Sequence, residues 1–254
     1  MFGLRNHEGT NLPARESNLG TCGYALLTWS AVMTKLVDEL RQLLQEGRTL
    51  SACRPNSERQ LVRALTMLIN DGNEVVRQRA CWELGEIISR TAPSNVENFI
   101  RRLMWRLNPE SGDNPRGVPE AIGEIGNRAP EHAESFVPAL MQYLEDENLR
   151  PGLLQAAGRI GQSSPGVLSP YIDEIASYLC SEDIAIVGNA ALALVRIGGG
   201  RASETLRAIE SDTREVPLFC YDDFITVKLC EFGKQICLSI EKLCVITAQE
   251  TSKG

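Results

Sequence analysis

Residues 76–88 read VRQRACWELGEII, and the pattern returns three times downstream. It reappears as RGVPEAIGEIG at 116–126, RPGLLQAAGRIG at 150–161 and IVGNAALALVRIG at 186–198. Aligned on the isoleucine near each end (Ile87, Ile125, Ile160, Ile197), the copies lie 38, 35 and 37 residues apart. Gly85, Gly123 and Gly158 stand two places before that isoleucine, and Leu194 takes the neighbouring slot in the fourth copy. A period of this length marks an architecture built by stacking one supersecondary unit on the next.

A second series runs in phase with the first. Ile69, Leu107, Leu144, Leu179 and Ile209 close the preceding apolar stretches at intervals of 38, 37, 35 and 30 residues. Helical spacing of apolar residues within each stretch predicts helix pairs. They are 58–70 with 74–90, 96–107 with 115–127, 131–144 with 149–160, and 168–179 with 184–197. Asp71-Gly72-Asn73, 108–114, 145–148 and 181–183 are the turns. Pro119 lies one turn into its helix and predicts a late start there.

The segments outside the repeat divide as follows. Residues 1–32 form an N-terminal extension, flexible or holding a short cap within 24–32. Met33 opens a well-formed amphipathic helix with Leu36, Val37, Leu40, Leu43 and Leu44; the change of pattern there leaves two readings, Met33 as the natural start or a short capping helix within 24–32 before it. Repeats occupy 33–200 and end at Gly198-Gly199-Gly200. Residues 201–246 are read as capping helices, with an irregular stretch at 212–220 and a long helix at 222–243; such a cap shows solvent a polar face. Residues 247–254 are a polar, disordered tail.

The residues from about 56 to 198 resemble HEAT-type repeats, in particular the short HEAT-like repeat of phycobilisome lyases. Asp71, Val76, Arg77, Ala80, Leu84, Gly85 and Ile87 fit that pattern well, and Asp146, Leu149, Arg150, Ala156, Ala157, Gly158 and Ile160 fit it partly. Pro115 and Val187 stand where the second and fourth units would carry the arginine. The resemblance implies an all-α, right-handed α-solenoid of about five pairs, with the second helices lining a concave face. It also implies a structural ladder in which Asp71, Arg77, Asp146 and Arg150 bond between neighbouring units. The three glycines predict close helix approach, since each otherwise costs about 0.5–1 kcal/mol relative to alanine.

On the expected concave face lie Arg79, Trp82, Glu83, Glu86, Glu120, Glu124, Gln155, Arg159 and Asn189. They are either a partner-binding surface or a solvated helix face. Glu86 and Glu124 share one repeat position about 10 Å apart, too far for a single metal, and Arg159 breaks the carboxylate row. Arg101, Arg102, Trp105 and Arg106 form a basic-aromatic cluster on a first helix. Arginine and tryptophan are frequent interface anchors, although Trp105 also suits a core-covering role.

Composition narrows the function. The net charge is −7, yet residues 54–106 carry +3 and residues 107–254 carry −10. An acidic majority disfavours general nucleic-acid binding, which neutralises phosphates with Lys and Arg. Eight cysteines include no C-x-x-C, and the two histidines, His7 and His132, are far apart, so zinc spacings are missing. Reduced thiols in a cytosol are expected. Cys230, Cys237 and Cys244 recur every seven residues, about 10.5 Å apart along a helix, which suits buried thiols rather than one metal site. The apolar run at 26–33 is far short of a membrane helix. No phosphate loop, metalloprotease motif or nucleophile elbow occurs; GGGR at 198–201 follows a helix rather than a strand.

The expectation is therefore a non-catalytic scaffold or adaptor without cofactor or metal, cytoplasmic, docking a protein partner on the concave face. The resemblance leaves two alternatives: a phycobilisome-lyase-like chromophore lyase subunit, and a DNA-binding protein related to HEAT-like alkylpurine glycosylases.

Overall fold

The computed structural model describes residues 19–48, 50, 57–112, 115–220 and 223–234. In chain order, α1 (Leu19–Gln45) is followed by α2 (Glu58–Leu68) with α3 (Glu74–Ile88), then α4 (Pro93–Leu107) with α5 (Val118–Arg128). The next pair is α6 (Pro130–Ala133) and α7 (Val137–Met141) with α8 (Arg150–Ser163). Then come α9 (Pro165–Leu168) and α10 (Ile172–Ser177) with α11 (Ile184–Ile197). The chain is thus mostly helical, and α3, α5, α8 and α11 pack each on the next.

Local chemistry sets the helix starts. The Asn73 and Asp183 side chains accept the backbone N–H groups of Val75 and Ala185, capping α3 and α11. Ser57 does the same for α2 through Gln60. In α5 and α8 a proline occupies the first turn, where its missing N–H costs nothing. The stack is tight because of the repeated glycines. A Cβ at Gly85 would lie 2.7 Å from the Glu124 Cβ; at Gly123 it would lie 2.5 Å from the Ala156 Cα, and at Gly158 2.8 Å from the Ala193 Cα.

The first helices of the third and fourth pairs depart from expectation. Each is broken: 3₁₀ turns Glu134–Phe136 and Gln142–Glu145 flank α7, and Ser169–Tyr171 and Tyr178–Cys180 flank α10. Pro138 and Pro170 explain the breaks on the N-terminal side of α7 and α10, since proline removes an i→i−4 bond and crowds the preceding carbonyl.

Three further expectations need correction. First, α1 runs unbroken through Met33, whose side chain joins Leu36, Val37, Leu40 and Leu44 in the core. Second, Arg77 and Arg150 do not form a ladder between units. Each reaches back within its own unit: Arg77 Nη1 donates to the Asp71 carbonyl in the turn after α2 (3.3 Å), and Arg150 Nε to the Leu144 carbonyl at the end of its first helix (2.9 Å). A guanidinium there complements the helix C-terminal dipole. Asp146 accepts the Asn148 N–H in its own turn. Asp71 does cross units, but to Arg41 of α1 at 2.7 Å. Arg150 crosses too, over the Tyr178 ring at 5.1 Å.

Third, the C-terminal region is not a pair of capping helices. After α12 (Gly199–Leu206), β1 (Glu215–Cys220) and β2 (Asp223–Lys228) form an antiparallel hairpin, and α13 (Leu229–Lys234) follows. Val216 and Leu218 alternate inward, Ile225, Thr226 and Val227 are β-formers, and Phe219 meets Phe224 edge-on at 5.3 Å. Cys230 is buried in α13. Cys237, Cys244 and the expected tail lie outside the described residues.

Candidate functional site, a closed polar seam and an open cationic groove

Six of the nine residues expected on an open concave face (Trp82, Glu86, Glu120, Glu124, Gln155 and Arg159) instead form a polar seam between the second helices. Gln78 of α3 and Gln155 of α8 exchange both amide hydrogen bonds, at 3.0 and 2.8 Å. They meet across α5, whose residues 118–126 are all buried. Glu124 is 2% exposed and Arg159 3% exposed. The Glu124 carboxylate accepts from Arg159 Nη2 at 2.8 Å and from Arg128 Nη1. Arg128 Nε donates to Glu86 at 3.0 Å, and Glu86 also pairs with Arg90. Arg128 and Arg159 both face the Trp82 ring, at 4.1 and 5.3 Å. A carboxylate–guanidinium–aromatic chain therefore joins α3, α5 and α8.

The hairpin covers another part of this face. Val216 of β1 sits against Gly188 of α11, where a Cβ would come within 2.5 Å of it. Arg79 of α3 donates to the Leu44 carbonyl at 2.8 Å and to Asp223 at the start of β2 at 3.1 Å. Glu83 is half-buried. So is Asn189, whose amide donates to the Ala185 carbonyl of its own helix. Of the nine residues, the structure thus gathers Trp82, Glu86, Glu124 and Arg159 into one network. Gln155 and Glu120 join the seam beside it, and the rest stand apart. Sequence reading missed Arg128 and Gln78. Arg128 stands four residues after Glu124, a spacing that signals a helical ion pair; the Gln78–Gln155 contact spans 77 residues and leaves no local signal.

Glu120 is the electrostatic exception in the seam. It is 5% exposed, packs on Gly152, and its Oε2 has no hydrogen-bond partner among the described residues. Burial pushes its carboxyl up to about 7, against the opposing pull of Arg77. The Cys81 thiol is raised well above its ordinary value by burial, with Glu120 and Glu124 adding to the rise. It donates to the Gly117 carbonyl at 3.2 Å. A buried thiol held protonated is a poor nucleophile and a poor metal ligand. Among the described residues, no three His, Cys, Asp or Glu side chains gather as a metal site.

The Glu120 environment predicts a pH dependence. Its folded-state value lies above the ordinary 4.5, so the folded chain holds a proton that the unfolded chain releases. Stability therefore falls as pH rises from about 4.5 to about 7 and levels off beyond. At 1.36 kcal/mol per unit the loss is at most about 3 kcal/mol. Glu120→Gln, neutral at every pH, is expected to flatten this slope in urea titrations between pH 4.5 and 7.5.

On the opposite side of the first two pairs the surface is open. Helices α2 and α4 both pack on α3 and leave between them a groove of about 1030 Å³. Arg59, Arg63, Thr66 and Met67 line it from α2, Asn70 from the turn after it, and Asn98, Phe99, Arg102 and Arg106 from α4. A further hollow of about 410 Å³ carries it on to Arg101 and Trp105. Trp105 is 60% exposed and Met67 56%, so neither covers the core. The inward face of α4 is supplied by Val96, Ile100, Leu103 and Leu107 instead. The sequence picked out Arg101, Arg102, Trp105 and Arg106 but missed Arg59, Arg63 and Met67. A signal existed: Met67 and Trp105 are 38 residues apart, as are Arg63 and Arg101, so each pair shares one repeat position.

No family model matches the chain. A protein of Archaeoglobus fulgidus, described as uncharacterized, is 25% identical over 164 residues, covering 63% of this chain and 86% of that relative. Among solved structures, an engineered protein studied as a structural-genomics target aligns over 60% of this chain and 72% of its own. Its sequence identity is 17% and its TM-score 0.43.

Proposed function

We propose that the chain is a HEAT-like α-solenoid that serves as a cytosolic, non-catalytic scaffold and docks a protein partner through the outer groove between α2 and α4. Support for the repeat reading comes from two sequence series in phase, from second helices packed in chain order, and from the glycine at each of three contacts. One observation carries the binding reading. Two large apolar side chains, Met67 and Trp105, stand exposed at equivalent repeat positions and are flanked by arginines. The hollows they line adjoin at Thr66, Phe99, Arg102 and Arg106, and an exposed apolar patch rimmed by polar groups marks an interaction site. The second-helix face is a weaker docking surface, because Glu86, Glu124, Arg128 and Arg159 already pair with one another and Glu120, Glu124 and Arg159 are buried. No helix among the described residues is long and apolar enough to cross a membrane.

The test compares the wild type with Met67→Ala/Trp105→Ala in affinity capture from native extract, under reducing conditions. Both side chains are exposed, so stability should change by no more than about 0.5 kcal/mol. Removing a tryptophan anchor typically costs about 2 kcal/mol or more, roughly 30-fold in affinity. A stoichiometric protein held by the wild type should therefore be nearly lost from the variant. Equal retention by both forms overturns the groove. A coloured eluate would favour the chromophore-lyase reading, and a nuclease-sensitive one the DNA-binding reading.

A further inference from the structure

We propose that the α2–α4 groove recognises an acidic helical segment of the partner protein, with carboxylates one turn apart beside an apolar side chain; this inference rests on the scaffold reading above. The argument begins with charge. Of the charged residues lining the main groove, four are arginines and one is a glutamate, Glu58. Arg101 adds a fifth guanidinium beside Trp105. This is a local excess of positive charge on a chain whose net charge is −7.

Spacing narrows the ligand further. Arg59 and Arg63 are four residues apart on α2, and Arg102 and Arg106 are four apart on α4. Each pair therefore springs from backbone positions about 6 Å apart along a helix. Carboxylates at i and i+4 of a guest helix have the same spacing. Such a helix, laid along the groove, sets its acids against one or both arginine pairs. Its apolar face then meets Met67 and Trp105, as in other helix-in-groove complexes. The Met67 thioether adapts to varied apolar shapes. Arg102 lies 6.0 Å from the Phe99 ring and Arg101 bonds Asn98 at 2.6 Å, so two of the guanidiniums are already oriented.

A nucleic acid fits the same observations less well. A long phosphodiester chain needs positive charge along its whole length, and residues 107–254 carry −10 overall. A short acidic segment ends within the positive field.

The test uses three probes: a 14-residue helix-forming peptide with Glu at i, i+4 spacing around Leu, its Glu→Gln counterpart, and a 14-nucleotide single-stranded DNA. Binding is read by calorimetry and by tryptophan emission, with Trp105→Phe identifying which signal is local. The Glu peptide is expected to bind, to weaken about 10-fold or more between 50 and 300 mM salt, and to lose at least 10-fold with Arg59→Ala/Arg102→Ala at unchanged melting temperature. The Gln peptide is expected to bind at least 10-fold more weakly. Equal binding of the two peptides overturns the inference, and so does tighter arginine-dependent binding of the DNA. If the Glu peptide fails while a captured protein still depends on Met67 and Trp105, the acidic-helix inference falls and the scaffold reading stands. If both fail, both fall.

Discussion

Glu124→Leu is expected to lower the unfolding free energy by about 3–5 kcal/mol, the usual cost of removing one partner from a buried ion pair. Glu124 is the acceptor between Arg128 and Arg159, and Arg159 is almost fully buried. Without the carboxylate, the Arg159 guanidinium keeps Gln162 at 3.0 Å and the Trp82 ring but loses this counter-charge. The cost comes from desolvated charge rather than lost packing, so a second change reveals it. Glu124→Leu/Arg159→Leu removes both charges and is expected to recover part of the loss, making the double variant less destabilised than the sum of the singles. Urea denaturation of the wild type, both singles and the double gives the coupling directly. Additive losses would show that the two charges do not depend on each other.

Gly123→Ala is the second large effect, with an expected loss of about 3 kcal/mol. In an ordinary helix interior this change stabilises by about 0.5–1 kcal/mol. Here the new methyl would stand 2.5 Å from the Ala156 Cα, which is backbone and cannot rotate aside. Helices α5 and α8 would have to separate, and overpacking of a filled core costs about 1–3 kcal/mol, at times more. Gly200 provides the control. It lies in α12, and a Cβ added there would meet nothing within 4 Å, so Gly200→Ala is expected to be neutral or stabilising. Opposite signs for the two glycines would establish that helix contact, not propensity, governs Gly123. Equal signs would remove that explanation for the repeat's glycine.

Much of the helical stack was legible in the sequence because its determinants are local and repeated. Helical periodicity placed α2, α3, α4, α5, α8 and α11, and the recurring glycine located the contacts between second helices. The hairpin was not read, although Val216 and Leu218 alternate and Ile225, Thr226 and Val227 favour strands. Residues 222–243 read as one long amphipathic helix, and the expectation of a helical cap reinforced it. Burial of Glu120 and Glu124 escaped for a different reason. It depends on three helices converging beneath a Gln78–Gln155 contact, which no window of sequence contains. The groove stood between these cases: Trp105 and its arginines were visible, but Arg59, Arg63 and Met67 become neighbours only once α2 and α4 both pack on α3.

Hydrogen–deuterium exchange of the full chain, alone and with the Glu peptide, tests the central claim most directly. With the peptide bound, new protection is predicted in 58–70 and 95–107. Residues 78–88, 120–128 and 153–161 should exchange slowly in both states, as an internal seam requires. Protection gained along those second helices or the 215–228 hairpin, with α2 and α4 unchanged, would contradict the account and return the binding surface to the inner face.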